Sequence, residues 1–201
     1  MVSGDTRHMT IVEIRGAVGA VWFVFVVVWV IASRNTKRTV ERPANQLGYR
    51  VAWIAAFAIL FVSRPRAYNR FAPLTDHVLP GSDAVVLAGL ALATAGLALA
   101  FWARATLGGN WSGTVTFKED HSLIDTGPYA FVRHPIYTAI LLMFVGTAVA
   151  YGTLGSLLAV PVAAVSFVVK ARQEEHLLEK HFPDAYPAYR ARTRMIVPFL
   201  L

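Results

Sequence analysis

The sequence predicts an all-α fold: a polytopic membrane helix bundle of about five transmembrane helices. Three observations carry this. The chain of 201 residues is 56% hydrophobic and only 15% charged, more apolar than an ordinary soluble domain. Several of its apolar runs reach the roughly 17–25 residues that a bilayer-crossing helix needs. Its basic residues gather at the borders of those runs, where anionic headgroups and topology place them.

The elements follow in order. "GAVGAVWFVFVVVWVIAS", residues 16–33, is too long for the apolar region of a signal peptide and no small-residue cleavage site follows it, so it reads as a retained transmembrane helix. After the basic loop "RNTKRTVERPANQ" comes "LGYRVAWIAAFAILFVS", residues 47–63, a short span whose Arg50 can snorkel to the headgroups. A polar connector with "RPRAYNR" and "LPGSD" leads to a third span, residues 84–103. Gly89, Ala93 and Gly96 recur there at helical spacing and would let another helix approach closely. Residues 104–134 are polar. From Ile136 to Val169 the chain carries no charge over 34 residues, too many for one span. Gly152 and Gly155 mark the turn of a helical hairpin, and Pro161 is expected to kink its second arm. From Lys170 a charged helical tail begins, turn-like around "FPDAYPAY".

Five spans put the termini on opposite sides. Of the 19 Lys and Arg residues, 14 share the side of the C-terminus, so the positive-inside bias makes that side cytoplasmic, in an inner or plasma membrane. The net charge of +7 belongs to this asymmetry, and no nucleic-acid partner is expected, because no arginine-rich arm or RNA-binding signature occurs. The absence of cysteine excludes disulfides, thiolate nucleophiles and cysteine metal sites. His176 and His181 lie five positions apart, about 140° round a helix, and cannot share a metal face. No metal is expected. "NWS" at Asn110 fits a glycosylation sequon, but on this topology it faces the cytoplasm. No phosphate-binding loop, dinucleotide fingerprint or serine-nucleophile elbow occurs.

The hairpin returns the chain to the side it left, so "VRHP" and "KARQEEHLLEKHF" should be neighbours although about 40 residues separate them. The tail helix carries Val168, Ala171, Leu178 and Phe182 as one apolar stripe, with Glu174 and Glu175 inside it. Acids on an inward face are costly unless cations or donors meet them, and Arg133 and His134 are the candidates. Spacing alone leaves a second reading open, in which the helix lies at the surface and Lys170 pairs with Glu174 one turn on.

Taken in order, these residues resemble a known family. "LGGNWSGTVTFKEDHSLIDTGPYAFVRHPIYTA", a hairpin and "RQEEHLLEKHFPDAYPAYRARTRMIVPF" look like the isoprenylcysteine carboxyl methyltransferase group, related to the membrane phospholipid N-methyltransferases. The matching parts are Leu107-Gly108 with Trp111, His121 and Leu123, Gly127-Pro128-Tyr129, Arg133-His134-Pro135 with Tyr137, Glu174-Glu175 with Leu178, and Phe182 with Tyr186 and Tyr189. The resemblance implies an S-adenosylmethionine-dependent enzyme whose C-terminal cofactor-binding region faces the cytoplasm. It divides the chain into N-terminal transmembrane helices over residues 1–103, which carry no matching motif, and a methyltransferase core over residues 104–201.

By the same resemblance, Leu123, Gly127, Tyr129, His134, Pro135, Tyr137 and Glu175 belong to the cofactor-contacting motifs, and Arg133 and Glu174 to the reacting end. Lys170 stands where many relatives carry arginine. The residue chemistry agrees: the two glutamates can meet the sulfonium and ammonium of the cofactor, and Arg133 can grip a carboxylate with its planar fork. Membrane lipids are the expected surroundings and a lipophilic or prenylated molecule the expected acceptor, with carboxyl O-methylation of an isoprenylcysteine-like substrate as the leading expectation. Phosphatidylethanolamine N-methylation is the alternative. An NADPH-dependent sterol reductase, which resembles this architecture in part, ranks behind both.

Overall fold

The computed structural model describes residues 10–34, 39–41, 46–63, 72–111, 117–118 and 123–197. His121 and the connector "RPRAYNR" lie outside them. The molecule is an integral membrane helix bundle. Each apolar segment forms a helix: α1 (Ile11–Ser33), α2 (Leu47–Val62), α4 (Asp83–Leu107), α5 (Pro135–Tyr151) and α6 (Leu154–His181), with the short α3 (Ala72–Thr75) and α7 (Ala185–Arg192) between and after them. Among the described residues three helices, starting at Ile11, Asp83 and Leu154, are long and apolar enough to cross a membrane; α2 and α5 are apolar but only 16 and 17 residues long.

Several expected boundaries move. The third apolar helix runs on to Leu107, past the polar border expected at residue 103, because Arg104 is accommodated inside the bundle. Its Nη1 donates to the Gly108 carbonyl at 2.6 Å and its Nη2 to the Ala32 carbonyl at 2.7 Å, which ties the end of α4 to the end of α1. The second arm of the hairpin is one unbroken helix from Leu154 to His181, carried through Pro161 and across the apolar-to-charged border at Lys170. The turn expected around "FPDAYPAY" is confined to Phe182–Asp184, after which Ala185–Arg192 is helical. Among the described residues a two-stranded antiparallel ladder of β1 (Thr39–Glu41) and β2 (Phe117–Lys118) departs from a purely helical fold. It joins two stretches that hydropathy reads only as polar loops.

The hairpin turn forms where the glycines predict it. Gly152 adopts φ 65°, a left-handed conformation that costs glycine little, and Thr153 then caps α6 by accepting from the Ser156 N–H. Small residues decide how close the helices come. A Cβ on Gly96 would lie 2.7 Å from the Ala139 carbonyl oxygen, and one on Gly89 2.5 Å from the Ala150 nitrogen, so α4 and α5 meet backbone to backbone. Trp22 of α1 closes the centre: its indole N–H donates to the Thr147 hydroxyl at 2.9 Å, and its ring packs edge-on against Phe57 of α2 and Phe144 of α5. The packing of α4 on α5 and of α2 on α6 crosses the boundary at residues 103 and 104, so the N-terminal helices and the C-terminal core share one body.

Candidate active site

The entry to α5 is built from "VRHP". Pro135 occupies the first helical position, where its missing N–H costs nothing, and His134 is the residue before it. The extended backbone here pairs in parallel with the end of the chain. The Arg133 N–H donates to the Arg194 carbonyl at 2.7 Å and the His134 N–H to the Met195 carbonyl at 3.0 Å. The Thr138 hydroxyl adds bonds to the His134 and Ile196 carbonyls. A segment about 60 positions away is thereby fastened under the first turn of α5. The last turns of α6 lie over the same spot and lower two carboxylates onto it.

There the charges form one connected cluster. Arg133 Nε donates to Glu175 Oε1 at 2.7 Å, with the two side chains only 8% and 5% exposed. Arg133 Nη1 donates to the Thr193 carbonyl at 2.7 Å and the Arg190 carbonyl at 3.3 Å. Among the described residues only Nη2 of this guanidinium is left without a partner. His134 lies between the acids, Nε2 at 3.2 Å from Glu175 Oε1 and Nδ1 at 3.4 Å from Glu174 Oε2. The Tyr137 hydroxyl shares its proton between the two Glu174 oxygens, each at 2.7 Å. Three rings stack behind it: His134 on Tyr137 at 5.2 Å, and Tyr137 on Phe167 at 5.0 Å. The inward-facing acids thus meet Arg133, His134 and Tyr137. The Lys170 ammonium lies over the rings of Tyr137 and Tyr49.

Burial, the largest influence on His134, pushes its ring toward the neutral form, but the hydrogen bonds and charges of Glu174 and Glu175 outweigh it and raise its pKa. The imidazolium, which donates from both nitrogens, matches a ring facing a carboxylate on each side. Its stabilising contribution is complete below the unfolded imidazole value of about 6.5 and is lost as pH rises through the higher folded value. Thermal unfolding followed from about pH 6 to about pH 9 should therefore show the wild type losing stability relative to His134→Asn. Coincident profiles would mean that the ring is not charged in the folded protein.

Beside the cluster lies a cavity of about 430 Å³ lined both by charged or ionisable side chains (Arg50, Arg133, His134, Lys170 and Glu174) and by apolar ones, among them Phe25, Trp29, Trp53, Ile54 and Ile140. Of the residues singled out in the sequence, Tyr129, Arg133, His134, Tyr137 and Glu174 border it. Leu123, Gly127, Pro135 and Glu175 do not. Gly127 turns the chain at φ 58° against Thr106, Pro135 opens α5, and Glu175 sits behind the wall with its carboxylate toward Arg133 and His134. Tyr129 is held through its carbonyl, which accepts from the Tyr189 hydroxyl at 2.8 Å. His181 pairs with Glu41 at 2.8 Å, as does Lys180, fastening β1 to the end of α6. The wall that sequence reasoning missed comes from α1 and α2, above all Tyr49, Arg50 and Trp53. An arginine inside an apolar span was the one signal pointing there, and headgroup snorkelling explained it equally well.

Residues 84–185 match the family model of the phospholipid methyltransferases. The chain is 30% identical over 122 residues to protein-S-isoprenylcysteine O-methyltransferase B of Arabidopsis thaliana, a match covering 56% of this chain and 58% of that protein. It is 32% identical over 99 residues to the nickel-cobalt-cadmium resistance protein NccN of Alcaligenes xylosoxydans xylosoxydans, covering 48% of this chain and 46% of the other. The chain spans about half the length of the curated relatives it matches. Its fold resembles the solved structure of the eukaryotic intramembrane Ras methyltransferase, isoprenylcysteine carboxyl methyltransferase. That likeness has a TM-score of 0.54 at 24% identity, over 78% of this chain and 54% of that one.

Proposed function

The chain belongs to the phospholipid methyltransferase family, and from that membership we propose that it methylates a lipophilic acceptor in the membrane. The donor in this reading is S-adenosylmethionine, and the acceptor group is the carboxylate of an isoprenylcysteine-like molecule. The observation that carries the reading is one cavity lined by charged side chains together with aromatic and aliphatic ones. Such a space suits an acceptor with an ionised head and a hydrocarbon tail. The donor set suits the cofactor as well: Glu174, with 22% of its side chain exposed beside the cavity, can meet a sulfonium or ammonium, and the neighbouring cations can meet a carboxylate.

When bound, the cofactor supplies an electrophilic methyl group; the protein supplies placement. A carboxylate acceptor is already ionised near neutral pH, so no general base is needed, and alignment with exclusion of water dominates. Glu174 orients the cationic group, held in place by Tyr137 and His134. Arg133 reaches the reacting end through Nη2. Glu175 acts as a positioning residue, fixing Arg133 and His134 from behind. The bias of Lys and Arg toward the C-terminal side supports a site on the cytoplasmic face.

The test is transfer of labelled methyl from S-adenosylmethionine by protein in lipid nanodiscs, onto a farnesylated thioether carboxylic acid and onto phosphatidylethanolamine. Base-labile label in the carboxylic acid is expected, since esters hydrolyse. Base-stable label in phosphatidylethanolamine alone would replace the acceptor assignment with N-methylation. No transfer, together with no S-adenosylhomocysteine binding by calorimetry, would sink the methyltransferase reading.

A further inference from the structure

On the methyltransferase reading, the order of residues along three helices also indicates where the tail of the acceptor must stop. Counted away from Arg50 and His134, the last residues to line the cavity are Ile54 on α2, Ile140 on α5 and, across from them, Phe25 on α1. One turn further on stand Phe57, Phe144 and Trp22, at the spacing that keeps side chains on one helical face. None of these three rings lines the cavity. They pack edge-on in a closed triangle, with centroids 5.0 Å apart for Trp22 and Phe57, 5.5 Å for Trp22 and Phe144, and 4.8 Å for Phe57 and Phe144. Phe25, still in the wall, meets the Trp22 ring edge-on at 5.9 Å, so the triangle begins directly beneath the cavity. A polar tie fixes its orientation. The Trp22 indole N–H donates to the buried Thr147 hydroxyl at 2.9 Å, and that hydroxyl donates to the Met143 carbonyl at 2.7 Å.

We propose that Trp22, Phe57 and Phe144 form the floor of the acceptor pocket and set the longest hydrocarbon tail it accepts. They are specificity-determining residues that do not touch the reacting atoms. Tyr137, whose hydroxyl meets Glu174, and Phe144 stand about 10 Å apart along α5. A lipid chain spans roughly 15 Å in its own leaflet, so this depth suits one shorter tail. An isoprenoid lengthens by whole branched units, and one unit too many strikes a close-packed floor that yields little.

The experiment uses the full chain in nanodiscs with geranyl, farnesyl and geranylgeranyl thioether carboxylic acids. Each is read by methyl transfer and by the rise it gives in unfolding temperature. The wild type should prefer the farnesyl to the geranylgeranyl acid about tenfold in kcat/KM, since a single methylene in an apolar pocket already discriminates by about that factor. Phe57→Ala, at a half-buried ring, should lower the floor and abolish that preference, with the geranylgeranyl acid now stabilising the protein as well as the farnesyl acid does. Ile140→Phe should raise the floor and move the preference to the geranyl acid. Affinity for S-adenosylhomocysteine should stay at the wild-type level in both variants. A wild type indifferent to tail length, or an unchanged preference in a Phe57→Ala protein that unfolds normally, would overturn the floor. The tail would then leave sideways past Trp53 and Ile54, which are 37% and 62% exposed on α2. Phe144→Leu, a smaller change, reads the same shift should Phe57→Ala fail to fold. Stabilisation ordered by tail length without methyl transfer would keep the floor while defeating the methyltransferase reading.

Discussion

Arg133→Ala should be the most destabilising single change in the site. It strips Glu175 of its 2.7 Å partner in surroundings where the carboxylate is 5% exposed, and it releases the Thr193 and Arg190 carbonyls that hold the chain end in place. Breaking a buried pair from one side leaves an uncompensated charge, which typically costs about 3–5 kcal/mol. For a chain of this size that lowers the unfolding midpoint by roughly 10 °C, measurable by thermal unfolding in detergent. Activity should collapse as well, because the same loss frees His134 and the end of α6 to shift. The double variant Arg133→Met with Glu175→Leu separates the two effects. It removes both charges together, so most of the stability should return while methyl transfer stays absent. An Arg133→Ala protein that unfolds at the wild-type temperature would refute the view that this cluster holds the C-terminal segment.

Glu174→Gln should give the largest loss of function for the smallest change in shape. The amide keeps the volume of the carboxylate and can still accept from the Tyr137 hydroxyl, but it has no charge to offer a cation in the cavity. A hydrogen bond to a charged partner contributes about 1.5–3 kcal/mol, so binding of S-adenosylmethionine should weaken roughly 10- to 100-fold. Comparing the two forms of the cofactor locates the contact. If Glu174 faces the sulfonium, S-adenosylmethionine should suffer more than S-adenosylhomocysteine; if it faces the ammonium, both should suffer alike. Wild-type affinity for both, with wild-type turnover, would remove Glu174 from the reacting end.

The juxtaposition on which both predictions rest was legible in the sequence. An uncharged stretch too long for one helix, with glycines at its middle, must double back and bring its two borders together. Two acids in an apolar stripe are costly without partners, and Arg133 and His134, at the opposite border, are the candidates, although spacing alone also allowed a surface helix. Gly89, Ala93 and Gly96 were legible for a similar reason, since three small residues on one helical face announce a close neighbour. What stayed illegible was which neighbour, and which side chains turn toward a cavity. Glu174 and Glu175 are adjacent in sequence and alike in chemistry, yet one borders the cavity and the other faces away from it. Nothing local distinguishes them; their different neighbours in the packed structure do. Lys170 lies over tyrosines supplied by α2 and α5, which its own place on α6 does not announce.

By itself, then, the sequence determined that this is a membrane helix bundle, where its hairpin turns, and which two charged borders that hairpin brings together. Hydropathy, glycine positions and the cost of a bare buried charge act over a few residues, and so can be read along the chain. The tertiary structure alone decided that α1 and α2 help wall the cavity, that residues 193–196 brace the entry of α5, and that Arg133 has one nitrogen left to offer. Those outcomes depend on how helices far apart in sequence pack, and helix packing is set by the combined shape of many side chains at once.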